Sequence, residues 1–204
     1  MTVLIGVKAP FELTQYAIAI KQQGIDFAIR YYTHQSGKSL SLAEARALTD
    51  AGIQLGALWE PADAHLSYFS RAQGCADGAA AYLMAQTVIG QPSGSAIYFA
   101  APDVAEIDGA ADHYFEGINQ AFAAAGPAER HYKVGVYGSS ACCAQMLERG
   151  LATVAWLEGE DSNEADFGLK QMHASTLPVD DGRRISVGMV CHRPERPAGF
   201  FRVL

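Results

Sequence analysis

Short apolar runs alternate with helical segments along most of this chain, and several of the runs end in aromatic or acidic residues. Eight candidate strands can be read in this way. These observations predict an α/β fold, a barrel of the TIM (β/α)8 type, whose chemistry sits on the rim formed by the C-terminal ends of the strands. An open doubly wound sheet also satisfies alternation, but the strand count favours closure. Helices are expected to be reduced in the last third, where too little sequence separates the strands.

Val3–Val7 reads as the first strand, and Phe11–Gln23 as a helix with Leu13, Tyr16, Ala17 and Ile20 on one face. Gly24 ends it, and Phe27–Tyr32 is the second strand. Ser41 and Glu44 form a capping box, with Glu44 expected to reach back to the helix start. That helix ends near Ala51-Gly52, and Ile53–Trp59 is the third strand. A longer connection, Pro61–Gly74, carries Tyr68 and Phe69. Ala76–Ile89 is Ala-rich and helical, and Ala96–Ala100 is the fourth strand. It stops at Pro102 and delivers Asp103 and Glu106 just beyond its end. Gly109–Ala125 is a helix, Tyr132–Tyr137 the fifth strand, Ser140–Arg149 a helix and Ala152–Leu157 the sixth strand. Phe167–Met172 and Ile185–Cys191 are the seventh and eighth, joined by an irregular connection.

With 204 residues and no visible linker, repeat or low-complexity tract, the chain reads as one domain over residues 1–204. A hydrophobic content of 50% with 18% charged residues describes a folded protein, not a disordered one. The net charge of -7 argues against nucleic acid as a partner. Cys75, Cys142, Cys143 and Cys191 make no zinc spacing, and the six histidines show no ligand pattern, so neither metal nor cofactor is expected. No run approaches a membrane span. The N-terminus shows no basic region before its short apolar run and so no Sec-type signal. The expectation is synthesis in the cytoplasm, with lysis or a dedicated secretion machine as the route to any external target.

Neither a Walker loop nor a GxGxxG is present, and Gly138-Ser139-Ser140-Ala141-Cys142 is not a GxSxG elbow. The acids carry more information. Glycoside hydrolysis needs two carboxyl groups flanking one bond. Glu60, Asp103 and Glu106 follow the third and fourth strands and are candidates to face each other across a barrel mouth. Glu60 follows Trp59 directly, and an apolar neighbour suits a general acid. Aromatic residues recur at strand ends, among them Tyr31, Tyr32, Trp59, Tyr98, Tyr137 and Trp156, and offer flat platforms for sugars. Tyr32, Tyr98, Tyr137 and Trp156 are the expected groove-lining set, with Lys8 on the first strand and His173 as a rim ligand.

The runs Ala28-Ile29-Arg30-Tyr31-Tyr32, Lys38-Ser39-Leu40-Ser41, Trp59-Glu60, Gly90-Gln91-Pro92, Ala96-Ile97-Tyr98-Phe99-Ala100, Tyr114-Phe115-Glu116-Gly117, Lys133-Val134-Gly135-Val136-Tyr137-Gly138 and Trp156-Leu157 carry a resemblance. Over roughly residues 3 to 175 the chain resembles the glycoside-hydrolase-like domain catalogued as domain of unknown function 1906. That family looks like a TIM barrel related to family 25 muramidases and occurs in exported bacterial proteins and phage lysins. The resemblance implies peptidoglycan or another glycan as substrate, cleaved by carboxylate acid/base chemistry.

This chain departs from the family at three places. Gly6-Val7-Lys8 puts a lysine where the family carries an aspartate. Ala101-Pro102-Asp103-Val104 offers one displaced acid where the family has a pair, and Ile185-Ser186-Val187 lacks the acid or amide of related muramidases. Glu60 is the matched acid that remains. The expectation is a glycoside-hydrolase-like barrel acting on cell-wall glycan with a degenerate site. The alternative is a catalytically silent barrel that binds glycan or a protein partner.

Overall fold

The computed structural model describes residues 2–35, 37–61, 65–101, 109–126, 131–159, 166–180 and 182–204. The chain folds as β1 (Leu4–Lys8), α1 (Ala17–Gln22), β2 (Phe27–Tyr32), α2 (Leu42–Asp50), β3 (Gln54–Trp59), α3 (Arg71–Leu83), β4 (Ala96–Ala100), α4 (Ala110–Ala125), β5 (Lys133–Gly138), α5 (Ser140–Glu148), β6 (Val154–Leu157), β7 (Leu169–Asp180) and β8 (Arg183–His192). The eight strands close into a barrel in chain order.

Strands β1 to β7 pair in parallel with their sequence neighbours. The closing strand does not follow the (β/α)8 pattern, because β8 runs antiparallel to both β7 and β1. The reason is local. Asp180 pairs with Arg183 across a tight hairpin, and Gly182 takes a φ of 84° there. Asp-Gly between strands favours such a hairpin, so the signal stood in the sequence at Asp181-Gly182 and was read as an irregular connection. The hairpin also explains the sparse helices. No helix follows α5 among the described residues. Val179, Ile185 and Val187 bury in the core between barrel and helices, and β7 packs against α1, so the hairpin covers the wall that helices would otherwise cover.

The strand period of two divides the core into an inner and an outer part. Phe27, Ile29 and Tyr31 of β2 point into the barrel with Leu58, Tyr98, Tyr137 and Trp156. Ala28 and Tyr32 point outward, into the layer shared with the helices. The end of the barrel formed by the strand N-termini is closed by the C-terminal segment. The Phe200 ring lies 4.4 Å from Phe27, Ala96 N donates to Gly199 O at 2.9 Å, and Leu55 bridges to Phe201.

Two helices begin differently from their expected starts. The predicted helix over 11–23 is a 3-10 turn at Thr14–Tyr16 followed by α1, with Leu13 N donating to the Glu44 carboxylate at 2.7 Å. α3 starts at Arg71, with Ser70 Oγ accepting from Gln73 N, and runs on as a π-helical segment, Met84–Ile89. The capping box is half formed. Ser41 Oγ accepts from Glu44 N at 3.1 Å, but the Glu44 carboxylate turns inward. Arg30 Nε and Nη2 donate to its two oxygens at 2.6 and 3.1 Å, and Arg30 Nη1 donates to Ala9 O. Both side chains are fully buried. A buried guanidinium is a stronger claimant for a carboxylate than one backbone N–H, and here it ties β1, β2 and α2 together.

Candidate active site at the barrel mouth

Lys8, Tyr31, Tyr137 and Trp156 reach the mouth from β1, β2, β5 and β6, and Glu60 and Glu158 follow the ends of β3 and β6. Two hydrogen-bonded groups line the mouth. In the first, Lys8 Nζ donates to Tyr137 Oη at 3.2 Å, and Tyr137 Oη donates to Glu158 Oε1 at 3.0 Å. The Tyr137 and Trp156 rings stack tilted, with centroids 4.2 Å apart. Lys8 Nζ lies 4.7 Å from the Tyr137 ring centroid and 5.5 Å from that of Trp156, within cation–π range. In the second, Lys38 Nζ lies 3.1 Å from Glu60 Oε2 and 4.1 Å from the Tyr31 ring centroid.

The mouth is partly desolvated, and its titratable groups respond. Burial lowers the Lys8 pKa, and Lys38 adds to this, while Glu60 and Glu158 act in the opposite sense. Burial raises the pKa of Tyr137, and the Glu158 charge and hydrogen bond raise it further. Tyr31 is raised by burial first and then by the Glu60 charge. Both phenols therefore keep their protons at neutral pH and act as hydrogen-bond groups.

On its outer side Glu60 borders a second space. A cavity of about 550 Å³ lies between the β2 and β3 ends and α3, lined by His34, Trp59, Glu60, Tyr68, Gln73 and Asp77 among others. Tyr68 and Tyr114 each donate to Asp77 Oδ2 at 2.6 Å and fix its inner wall. Trp59 points outward here with His34 against it edge-on at 5.7 Å, so the groups that touch the Glu60 carboxylate are the Lys38 ammonium and the Tyr31 hydroxyl, not the neighbouring indole.

Of the residues singled out in the sequence, Lys8, Glu60, Tyr137 and Trp156 come together. Trp156 is fully buried and forms the floor beneath Tyr137. Tyr98 is not in the mouth. It is fully buried, sits edge-on to Trp156 at 5.9 Å and donates to Ala198 O at 2.9 Å, toward the plugged end. Tyr32 faces away from the barrel interior and donates to Gln91 Oε1 at 2.6 Å, because the alternation that turns Tyr31 inward turns Tyr32 outward. His173 is exposed on β7 at the bulge between Gln171 and Ala174, along the hairpin and not at a strand end. Asp103 and Glu106 lie outside the described residues. Lys38 and Glu158 were missed as site residues. Glu158 stands just past the β6 end as Glu60 stands past β3, so the strand-end rule that selected one applied to both. Lys38 sits in a loop before α2, where periodicity carries no information.

Among the described residues no cluster of three or more His, Cys, Asp or Glu side chains could hold a metal ion, and no helix is long and apolar enough to cross a membrane.

The fold agrees with comparisons to known proteins. The profile of the Rv2525c-like, glycoside hydrolase-like domain matches residues 18–177. The Mycobacterium tuberculosis Tat-secreted protein Rv2525c, in complex with L-tartrate, is 19% identical, superposes with a TM-score of 0.70, and the match covers 97% of this chain and 98% of that one. A Bacillus stearothermophilus protein is 13% identical with a TM-score of 0.69, over 97% and 99% of the two chains. GHIP, a glycosyl hydrolase 25 of Streptococcus pneumoniae, is 11% identical with a TM-score of 0.62, over 96% and 89%. At these identities the solved structures speak for the fold alone. A search of curated proteins finds no match. The matched profile spans most of the barrel, and the chain belongs to the Rv2525c-like, glycoside hydrolase-like domain family.

Proposed function

We propose that this protein engages bacterial cell-wall glycan at the barrel mouth through a degenerate muramidase-type site that has lost family-type hydrolysis. The observation that carries this reading is the Lys38–Glu60 contact at 3.1 Å. A glycosidase acid must deliver a proton to the leaving oxygen. Glu60 instead accepts a hydrogen bond from an ammonium, on one of the two oxygens that would carry that proton. Lys8 adds a second cation where the family carries an aspartate. The rings of Tyr31 and Tyr137 and the hydroxyl–carboxylate pair Tyr137–Glu158 suit the faces and hydroxyls of a sugar. The family membership and the fold shared with a glycosyl hydrolase 25 support a glycan over other ligands.

The test is sedimentation with purified peptidoglycan sacculi, paired with a reducing-sugar assay. Wild-type protein is expected to pellet with sacculi and to release no reducing ends. Failure to pellet would defeat the glycan reading, and rapid release would defeat the loss of hydrolysis.

One observation favours a second reading. Glu60 and Glu158 follow β3 and β6 at one mouth, and the charge of each acts on Lys8, so the mouth holds the two carboxylates that a hydrolase of this type uses. On that reading slow reducing-sugar release is detectable, and Glu60→Gln and Glu158→Gln each reduce it by about 10²–10⁴-fold.

A further inference from the structure

The cavity of about 550 Å³ between the β2 and β3 ends and α3 takes no part in the function proposed above. Its walls combine aromatic rings with acceptors. Trp59 lines it from β3, Tyr68 from the turn before α3, and His34 lies edge-on against Trp59. Asp77 lines it from α3 and is buried, at 4% exposure. Tyr68 Oη and Tyr114 Oη donate to Asp77 Oδ2 at 2.6 Å, and Gln73 Nε2 donates to Asp77 Oδ1 at 2.8 Å. These three neutral donors fix the carboxylate in place without cancelling its charge. The Gln73 nitrogen is committed to Asp77, so the carbonyl oxygen is the end of that amide left to a ligand. Glu60 adds a second carboxylate to the wall, paired with Lys38 on the side of the Tyr31 ring. No lysine or arginine is among the described lining residues. Ser36 and Ala62-Asp63-Ala64, which adjoin lining residues in the chain, bring one acid and no base, so they do not reverse the sign of the cavity.

We propose that this cavity binds an organic ammonium ion, with the Asp77 charge opposite it, Gln73 Oε1 and the Glu60 carboxylate accepting its N–H groups, and Trp59 and Tyr68 packed on its carbons. The site is independent of the glycan reading of the mouth. Ring faces attract a cation, and a negative charge in a partly desolvated wall attracts it more strongly than the same charge in water. An anionic ligand would meet two carboxylates here. Asp77 is desolvated and oriented before the ligand arrives, so little further cost falls on the wall when the ion binds. The ammonium belongs either to an amino sugar whose nitrogen carries no acyl group or to the side chain of a basic amino acid, and the same walls serve both.

Calorimetric titration with two matched pairs tests this: D-glucosamine against N-acetyl-D-glucosamine, and Nα-acetyl-L-lysine amide against Nα-acetyl-L-norleucine amide, which lacks only the ammonium. The ammonium-bearing member of at least one pair is expected to bind about 10- to 100-fold more tightly, as a hydrogen bond to a charged group implies. Preference in the sugar pair alone marks an amino sugar. Preference in the lysine pair alone marks a basic side chain, and preference in both marks the ammonium by itself. Asp77→Asn keeps the shape of the wall and removes its charge, and should abolish the preference. Gln73→Leu should weaken binding of the ammonium ligand by about 3- to 10-fold. Thermal melts establish that each variant folds, and if Asp77→Asn does not, Gln73→Leu decides. Equal affinities within both pairs, no binding of either ammonium ligand, or a preference that survives in a folded Asp77→Asn protein would overturn the proposal. So would unchanged binding by Gln73→Leu. None of these outcomes bears on sedimentation with sacculi, which tests the mouth.

Discussion

Lys38 reaches Glu60 from the loop before α2, its Nζ 3.1 Å from Oε2 and 4.1 Å from the Tyr31 ring centroid. A loop residue thus sets the environment of the acid that follows the β3 end. Both side chains keep about a quarter of their surface, at 23% and 28% exposure, so the contact shapes the site more than it stabilises the fold. Lys38→Met and Glu60→Gln are each expected to change unfolding free energy by less than about 1 kcal/mol. The double variant should show a coupling of similar size. Urea denaturation of the four proteins measures it, and a coupling well above 2 kcal/mol would mean that the pair is a buried staple.

Lys8 has the opposite character, because burial is the largest influence on its pKa and lowers it. Between that lowered value and the ordinary 10.5, the unfolded chain holds a proton that the folded chain has released. Stability of the wild type therefore rises with pH through that window, and the penalty for charging Lys8 is fully present below it. Lys8→Met should melt higher than wild type at neutral pH, and its advantage should fade as pH rises toward 10.5. Thermal melts from pH 7 upward read this directly. An advantage that grows with pH, or a variant less stable at pH 7, would contradict burial as the dominant cause.

The Arg30–Glu44 pair holds the fold and not the site. Both groups are fully buried, and Glu44 also accepts from Leu13 N. Glu44→Gln leaves a guanidinium short of its counter-charge and should cost about 3–5 kcal/mol in unfolding free energy. Arg30→Met combined with Glu44→Leu should recover much of that loss. A Glu44→Gln cost below about 1 kcal/mol would show that the pair is hydrated.

Much of the barrel was legible in the sequence because its signals are local. β2 and β4 match their apolar runs residue for residue, and α2 and α4 fall within a residue or two of their caps and breakers. One rule, that chemistry gathers at strand C-termini, selected Glu60, Lys8 and Tyr137, and the structure brings these three to one mouth. The same rule erred wherever the facing of a side chain mattered. Tyr31 and Tyr32 are adjacent aromatics of similar size, and composition does not say which one enters the barrel. Tyr98 shares an inward facing with Tyr137 but hydrogen-bonds toward Ala198, about a hundred residues away in sequence, and so belongs to the opposite end.

What the sequence determined by itself was the order of strands and helices, the sparse helices of the last third and the family, since each depends on neighbours within a few turns of chain. What only the tertiary structure decided was the antiparallel closure by β8, the side on which each aromatic ring lies, and the partners of the charges. Lys8 donates to Tyr137, while Glu60 pairs with Lys38, a cation on a loop. The physical reason is that an ion pair depends on distance and desolvation at one point in space. Residues 22 and 129 positions apart reach such a point only once the barrel has closed.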